Sequence, residues 1–277
     1  MASIMSKLRK ILQQKQPARF LWSRFLRYSG LCRFIKIHRT GYTLHFHPAS
    51  LAMSLWLDPN DRHSDSDVLK AILRQGDVYV DVGANIGHLA IEAATLVGDS
   101  GKVTAFEAHP CTAGFLRQNI LLNKLSNIRI AQVAVGNQLG WVNFSNQNSD
   151  DQNNVTDGEG IAVPLVTLDA LLPDEPLTIL KIDVEGFEKY VLEGAKKTLD
   201  KTAFIYFEAW DAHFQKYGYE FSEIFDFLSE KKFKIAEFLS HSSLEIISRD
   251  RKIPNCINLL AYRDESAIME RTNWSIQ

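Results

Sequence analysis

The sequence is short of cysteine, of long apolar runs and, over its first stretch, of any acidic residue. Only Cys32, Cys111 and Cys256 occur in 277 residues. They lie far apart and form no C-x-x-C pair, which excludes a disulfide framework and a cysteine-rich zinc site and fits a reducing compartment. No apolar run approaches the roughly 18 residues of a membrane span, and the basic N-terminus is not followed by the apolar stretch of about 7–15 residues that marks a secretory signal. The chain is therefore expected to be cytoplasmic. There is no internal repeat. At 45% hydrophobic and 23% charged residues, disorder, collagen and coiled coil are excluded as well. A chain of this length buries about 75% of its unfolded surface, so its core needs no covalent staple.

Charge is unevenly placed. Residues 1–39 carry ten Lys or Arg and no Asp or Glu, whereas the remainder carries 21 basic and 33 acidic residues, a split of +10 against −12. Leu8, Ile11 and Leu12, then Leu21, Trp22, Phe25 and Leu26, are spaced along one side of a helix, which describes an amphipathic basic helix. Its apolar side is expected to pack on the domain. Peripheral contact of residues 1–39 with a membrane surface and, less favoured, contact with nucleic acid are the alternatives.

Residues 1–64 read as a basic extension with a short hairpin, Cys32 to His38 and Tyr42 to His47 joined through Thr40-Gly41. Residues 65–277 read as the main domain. A helix over Ser66 to Arg74 precedes strand Asp77 to Val82. Helix Ile86 to Val97, strand Lys102 to Glu107, helix Cys111 to Leu122 and strand Ile128 to Val135 follow. Farther on come strand Thr178 to Asp183, helix Phe187 to Leu199, strand Ala203 to Glu208, helix Phe221 to Lys231, and strands Lys234 to Phe238 and Cys256 to Tyr262. Strands alternating with helices require parallel pairing through crossovers, which predicts an α/β fold with an open, doubly wound, Rossmann-like sheet. The polar stretch from Asn143 to Gly160 is expected to be a loop.

After the first strand of that domain comes Asp81-Val82-Gly83-Ala84-Asn85-Ile86-Gly87. A dinucleotide fingerprint needs glycine at the positions of Gly83, Asn85 and His88, and two of the three are missing; a G-x-x-x-x-G-K-[ST] phosphate loop is absent too. The turn is nucleotide-like, yet the carboxylate of Asp81 beside it would repel a pyrophosphate and favour a cationic ligand such as S-adenosylmethionine. The next strand ends in Glu107, whose carboxylate can accept hydrogen bonds from both hydroxyls of a ribose.

From Val78 to Trp210 the sequence resembles the FkbM-type family of S-adenosylmethionine-dependent methyltransferases. The resemblance rests on DVGANIGH at 81–88, FEAHP at 106–110, VAVG at 133–136, TLDAL at 167–171 and LKIDVEGFE at 180–188. It implies a seven-stranded sheet whose last strand is antiparallel, with S-adenosylmethionine as methyl donor and S-adenosylhomocysteine as product. It also implies that Asp81, Gly83, Asn85, Gly87 and Glu107 touch the cofactor, with Ala134 and Val135 near the adenine. Where the family more often places proline directly after the acid, this chain has Ala108, and its proline comes at Pro110.

Lys181, Asp183 and Glu185 alternate along a strand end and project to one side by the strand period of two. Ligands of such sheets bind outside the carboxyl ends of the strands. An acceptor hydroxyl must lose a proton during methyl transfer, and Asp183 or Glu185 is the candidate base. Either could instead hold a divalent metal, which two acids do not specify and which is not favoured. A structural alternative is that Asp183 caps the next helix with Glu185 in its first turn. Lys181, Glu208, Trp210 and His213 are candidates for the acceptor pocket, Trp210 by stacking on a sugar face. His45, His47 and His63 lack zinc-site spacing and are expected to serve packing or the surface.

The expected activity is O-methylation of a hydroxyl on a sugar, glycolipid or secondary metabolite, an acceptor class implied by the resemblance alone. Three competing classes are an NAD-dependent oxidoreductase, a nucleic-acid methyltransferase and a non-catalytic membrane-associated binding protein. Oligomeric state is not legible.

Overall fold

The computed structural model describes residues 16–145, 153–156 and 158–277. Helix α1 (Pro17–Tyr28) and a short 3-10 turn lead to hairpin strands β1 (Lys36–Arg39) and β2 (Tyr42–His45). Arg39 faces Tyr42 across the turn, the hairpin expected at Thr40-Gly41. Helices α2 (Ser50–Leu57) and α3 (His63–Ile72) follow. Then β3 (Val78–Val82), α4 (His88–Val97), β4 (Lys102–Phe106), α5 (Pro110–Asn123) and β5 (Ile128–Ala131) alternate. After a small second sheet and the short helix α6 (Leu168–Leu171) the alternation resumes with β10 (Leu177–Ile182), α7 (Glu188–Glu193), α8 (Lys196–Asp200), β11 (Thr202–Ala209), α9 (Asp211–Lys216) and α10 (Phe221–Glu230). Strands β12 (Lys234–Ser240), β13 (Ser243–Ile246) and β14 (Ile257–Tyr262), helix α11 (Glu265–Thr272) and strand β15 (Ser275–Ile276) complete the chain.

The main sheet runs β15-β13-β12-β14-β11-β10-β3-β4-β5. Strands β11, β10, β3, β4 and β5 are parallel, and β14 inserts antiparallel between β11 and β12. The implied last antiparallel strand is thus present as β14, and β13 and β15 extend the sheet to nine strands.

Period-two alternation sends neighbouring residues into two separate cores. Tyr79, Ile179, Phe204 and Tyr206 face one core with α3, α4 and the hairpin residues Ile37, Tyr42 and Leu44. Val80, Val82, Leu180, Ile182, Ile205 and Phe207 face the other with Val191, Leu192, Ile224 and Leu228. Both faces are covered, which is why these strands read as nearly continuous apolar runs. Each fully buried Leu, Ile or Phe stabilises the fold by about 1.5–3 kcal/mol. Helix α10 shows the local logic. Phe221, Ile224 and Leu228 fall on its inner side, and Glu220 and Glu223 form a reciprocal capping box at its start, together satisfying two orphan N–H groups.

Three sequence expectations need correction. The strand expected over Ile128 to Val135 is two strands in different sheets: β5 ends at Ala131, and β6 (Ala134–Val135) pairs in parallel with β9 (Ile161–Val166). Within the expected loop from Asn143 to Gly160, Asn143 and Phe144 end β7 (Gly140–Phe144), which pairs with both β9 and β8 (Val155–Thr156), while residues 146–152 and 157 lie outside the described residues. The second sheet buries Val163 and Leu165 of β9 against Ala108 and Ala134. The helix expected over Phe187 to Leu199 breaks at Gly194. A Cβ there would sit 1.9 Å from the Gly136 carbonyl oxygen, so close backbone approach interrupts the helix.

The amphipathic helix is also oriented differently from expectation. Leu8, Ile11 and Leu12 lie outside the described residues. In α1, Ser23 and Leu26 are buried, whereas Leu21, Trp22 and Phe25 are turned to solvent. No helix among the described residues is long and apolar enough to cross a membrane. His47 is buried and stacks on Phe115 at 4.2 Å, the packing role expected of it.

Candidate active site

The carboxyl ends of β3, β4, β10 and β11 open onto a cavity of about 220 Å³, bordered also by the second sheet and by α2. Its floor is the glycine turn. Gly83 (φ 85°) and Asn85 (φ 51°) are left-handed, a conformation glycine adopts freely and asparagine tolerates. A Cβ on Gly83 would meet the Asp183 carbonyl oxygen at 1.8 Å, so only glycine lets the β3 turn pass the end of β10. The Glu107 carboxylate ties this turn to the next strand end, accepting from Asn85 N–H and His109 N–H at 2.9 Å each. Asp81, Gly83, Asn85, Glu107, Ala134 and Val135 all line the cavity. Gly87 does not: a Cβ there would meet Leu116 Cδ1 at 2.2 Å, so it serves contact between α4 and α5.

Asp81 is buried, with Lys181 Nζ 3.1 Å from its Oδ1; the same ammonium lies 3.4 Å from Asp183 Oδ2. Burial alone would push Lys181 down, but Asp81 and Asp183 outweigh it and hold the ammonium charged. Asp81 Oδ2 has no hydrogen-bond donor. His88, which the motif reading left without a role, is 2% exposed and lines the cavity. Burial, with the positive charge of Arg39, Arg62 and Lys181, pushes its pKa down to about 3, so the ring is neutral. Tyr42 keeps its proton, since burial raises the phenol well above its ordinary value, and its O–H lies 2.5 Å from His88 Nδ1. With the phenol as donor to Nδ1, the ring proton sits on Nε2, an atom without a partner. A buried anionic oxygen and a buried N–H donor therefore border one cavity, each lacking a protein partner. They fit the ammonium and carboxylate of an amino acid, and Glu107 fits a ribose.

On the other side, Glu185 follows β10, Glu208 sits near the end of β11, and His213 stands on α9. His213 Nε2 is 3.6 Å from Glu185 Oε2, and Nδ1 is 3.5 Å from Glu208 Oε2. Asp183, Glu185, Glu208 and Lys181 line the cavity, whereas His213 reaches it through the two glutamates. Trp210 stands behind it, its ring 4.3 Å from His213 and its Nε1–H donating to the Pro254 carbonyl at 3.1 Å. The Cys256 thiol donates to Glu208 Oε1 at 2.9 Å.

The loop carrying Glu185 is held by residues not singled out from sequence. Glu185 (φ 56°) and Gly186 (φ 103°) are both left-handed. A Cβ on Gly186 would lie 2.7 Å from the His213 carbonyl oxygen, so glycine brings this loop against α9. Glu188 Oε1 accepts from Val184 N–H at 3.1 Å and Gly186 N–H at 3.2 Å, and Tyr219 O–H donates to the Gly186 carbonyl at 2.7 Å. Burial, reinforced by Glu208, pushes Glu188 up to about 8 against the pull of those N–H donors. Its place within LKIDVEGFE was the available signal. Helix α7 starts after Phe187 without a side-chain cap, so Asp183 and Glu185 do not cap it and are left to the cavity.

A parallel sheet with an antiparallel β14, a glycine turn after its first parallel strand and an acid closing the next defines a nucleotide-binding protein of the Rossmann-like class. Residues 81–235 match the methyltransferase FkbM domain, and the chain belongs to that family; it is an S-adenosylmethionine-dependent methyltransferase. The 2-O-methyltransferase NoeI of Sinorhizobium fredii is 24% identical over 209 residues, covering 67% of this chain and 84% of NoeI. Among solved structures, a SAM-dependent methyltransferase from Aquifex aeolicus covers 75% of this chain and 94% of its own at 13% identity and a TM-score of 0.46. A SAM-dependent O-methyltransferase from Thermotoga maritima covers 83% and 86% at 13% identity and a TM-score of 0.43.

Proposed function

We propose that this enzyme methylates a hydroxyl of a sugar-bearing acceptor and that Glu185 with His213 receives the proton. The observation that carries the reading is the convergence of Glu185, His213 and Glu208 at the strand ends bordering the cavity. The name of NoeI, a 2-O-methyltransferase, supports a hydroxyl as the acceptor.

When bound, S-adenosylmethionine supplies a methyl carbon already activated by its sulfonium, so the protein's contribution is alignment and proton removal. Asp81 and His88 Nε2–H would hold the amino-acid end, Glu107 the ribose, and Ala134 and Val135 the adenine. The imidazole takes the acceptor proton through Glu185 Oε2, and Glu208 stabilises the imidazolium that forms. Asp183 is held by Lys181 and orders the floor between the two half-sites. Glu208 borders the acceptor side, whereas Trp210, expected to stack on a sugar face, stands behind His213 and does not line the cavity.

A divalent ion is a second reading, because one ligand atom each of Glu185, Glu208 and His213 lies within 4.8 Å of the others. The proton reading is preferred because the imidazole offers a different nitrogen to each carboxylate, whereas one ion would use one nitrogen. Turnover unchanged by EDTA supports the first reading; restoration by Mg²⁺ or Mn²⁺ supports the second.

The primary test combines S-adenosylhomocysteine calorimetry with labelled methyl transfer to a panel of glycosides and glycolipids. Binding together with a +14 Da ether product is expected. Transfer only to amines or to nucleic acid would overturn the acceptor assignment, and a bound nicotinamide nucleotide in the purified protein would overturn the cofactor assignment.

A further inference from the structure

Helix α1 presents its apolar face outward. Leu21, Trp22, Phe25 and Tyr28 fall on one side of the helix and are all at least half exposed, and Phe34 in the following turn is 70% exposed. The rings of Trp22 and Phe25 stack at 5.1 Å. The opposite side, with Ser23 and Leu26, is the buried one. The helix is thus anchored through a minor face while its larger apolar face meets water, an arrangement that costs free energy unless something covers it.

Charge selects the occupant. Arg24, Arg33 and Lys36 are exposed around this face, and residues 1–39 carry ten basic side chains and no acid. A second copy packed face to face through the same helix would set +10 against +10. A nucleic-acid duplex would satisfy the arginines but leave the aromatic centre uncovered. An anionic bilayer meets both requirements, because phosphate headgroups pair with the Arg and Lys side chains while Trp, Phe and Leu enter the boundary of the acyl chains.

We propose that α1 and the turn after it form a docking surface for an anionic lipid membrane. The Arg19 guanidinium lies over the Trp56 ring of α2 at 4.6 Å, fastening α1 to that helix. Ser50, Leu51 and Ser54 of α2 border the cavity. Docking therefore places the cavity one helix away from the lipid surface and favours acceptors held in a membrane, such as glycolipids. That last consequence rests on the proposed hydroxyl-methylating activity, whereas docking itself does not.

The test floats the full-length protein with vesicles of phosphatidylcholine mixed with phosphatidylglycerol and, separately, with vesicles of phosphatidylcholine alone. Wild type is expected to partition at least about tenfold better onto the anionic vesicles and to be released by salt; Trp22→Ser/Phe25→Ser should lose about tenfold of that binding. Absent binding, binding indifferent to the double substitution, or a self-association that the substitution abolishes would each overturn the proposal. S-adenosylhomocysteine calorimetry on both proteins reports the cofactor site separately, so loss of docking with intact cofactor binding is distinguishable from failure of the methyltransferase site.

Discussion

Lys181 and Asp81 are register partners on adjacent parallel strands, and their side chains meet as a buried ion pair at 3.1 Å. Removing the cation leaves a buried carboxylate uncompensated, which costs about 3–5 kcal/mol. Lys181→Met is expected to lower the urea unfolding midpoint accordingly, and adding Asp81→Asn in the same chain should recover part of the loss. An additive double variant would contradict the pairing.

Glu107 joins the glycine turn to the second strand end through two backbone N–H groups and faces the cavity. Glu107→Gln retains an acceptor but loses charge and one acceptor position. Affinity for S-adenosylhomocysteine should fall by about 1.5–3 kcal/mol, roughly ten- to a hundredfold, measured by calorimetry. Unchanged affinity in a folded variant would remove the ribose assignment.

His88 is assigned a neutral ring with its proton on Nε2. His88→Leu preserves the apolar volume and deletes that donor. Weakening of S-adenosylhomocysteine binding by about 1.5–3 kcal/mol is expected, with decarboxylated cofactor analogues insensitive to the change. Equal weakening of both ligands would place His88 elsewhere.

Glu185 and His213 are expected to act together. Each of Glu185→Gln and His213→Ala should lower kcat by about 10²- to 10⁴-fold with little change in cofactor affinity, and the double variant should be little worse than either. Independent, multiplying losses would show two separate roles. Wild-type turnover in Asp183→Asn would confine Asp183 to ordering the floor.

Glu188 binds its proton more tightly in the folded protein, at about 8 against an ordinary 4.5. Its stabilising contribution is therefore complete below about pH 4.5 and is lost as pH rises through 8, with a slope near 1.4 kcal/mol per pH unit between. Unfolding free energy of the wild type should fall over that window relative to Glu188→Gln, whose amide keeps an acceptor for Val184 and Gly186 and does not titrate. Parallel pH profiles for the two proteins would refute the assignment.

Local chemistry made much of this protein legible in sequence. Apolar runs of strand length alternating with helices predicted the parallel sheet, because strands buried on both faces must be continuously apolar. The glycines after the first strand announced a nucleotide-like turn, and an acid at position 107 announced a hydrogen-bond acceptor at the next strand end. Asp183, Glu185 and Glu208 were placed at the ligand-binding edge by strand direction alone.

Relationships between distant segments were decided only by tertiary structure. The union of Glu185, Glu208 and His213 depends on Gly186 fitting against α9, and the pairing of Lys181 with Asp81 depends on strand register; neither follows from spacing along the chain. The same limit explains why Ala134 and Val135 belong to a second sheet and why α1 turns Trp22 outward. Periodicity fixes which residues share a face of an element, but the surrounding packing fixes where that face points.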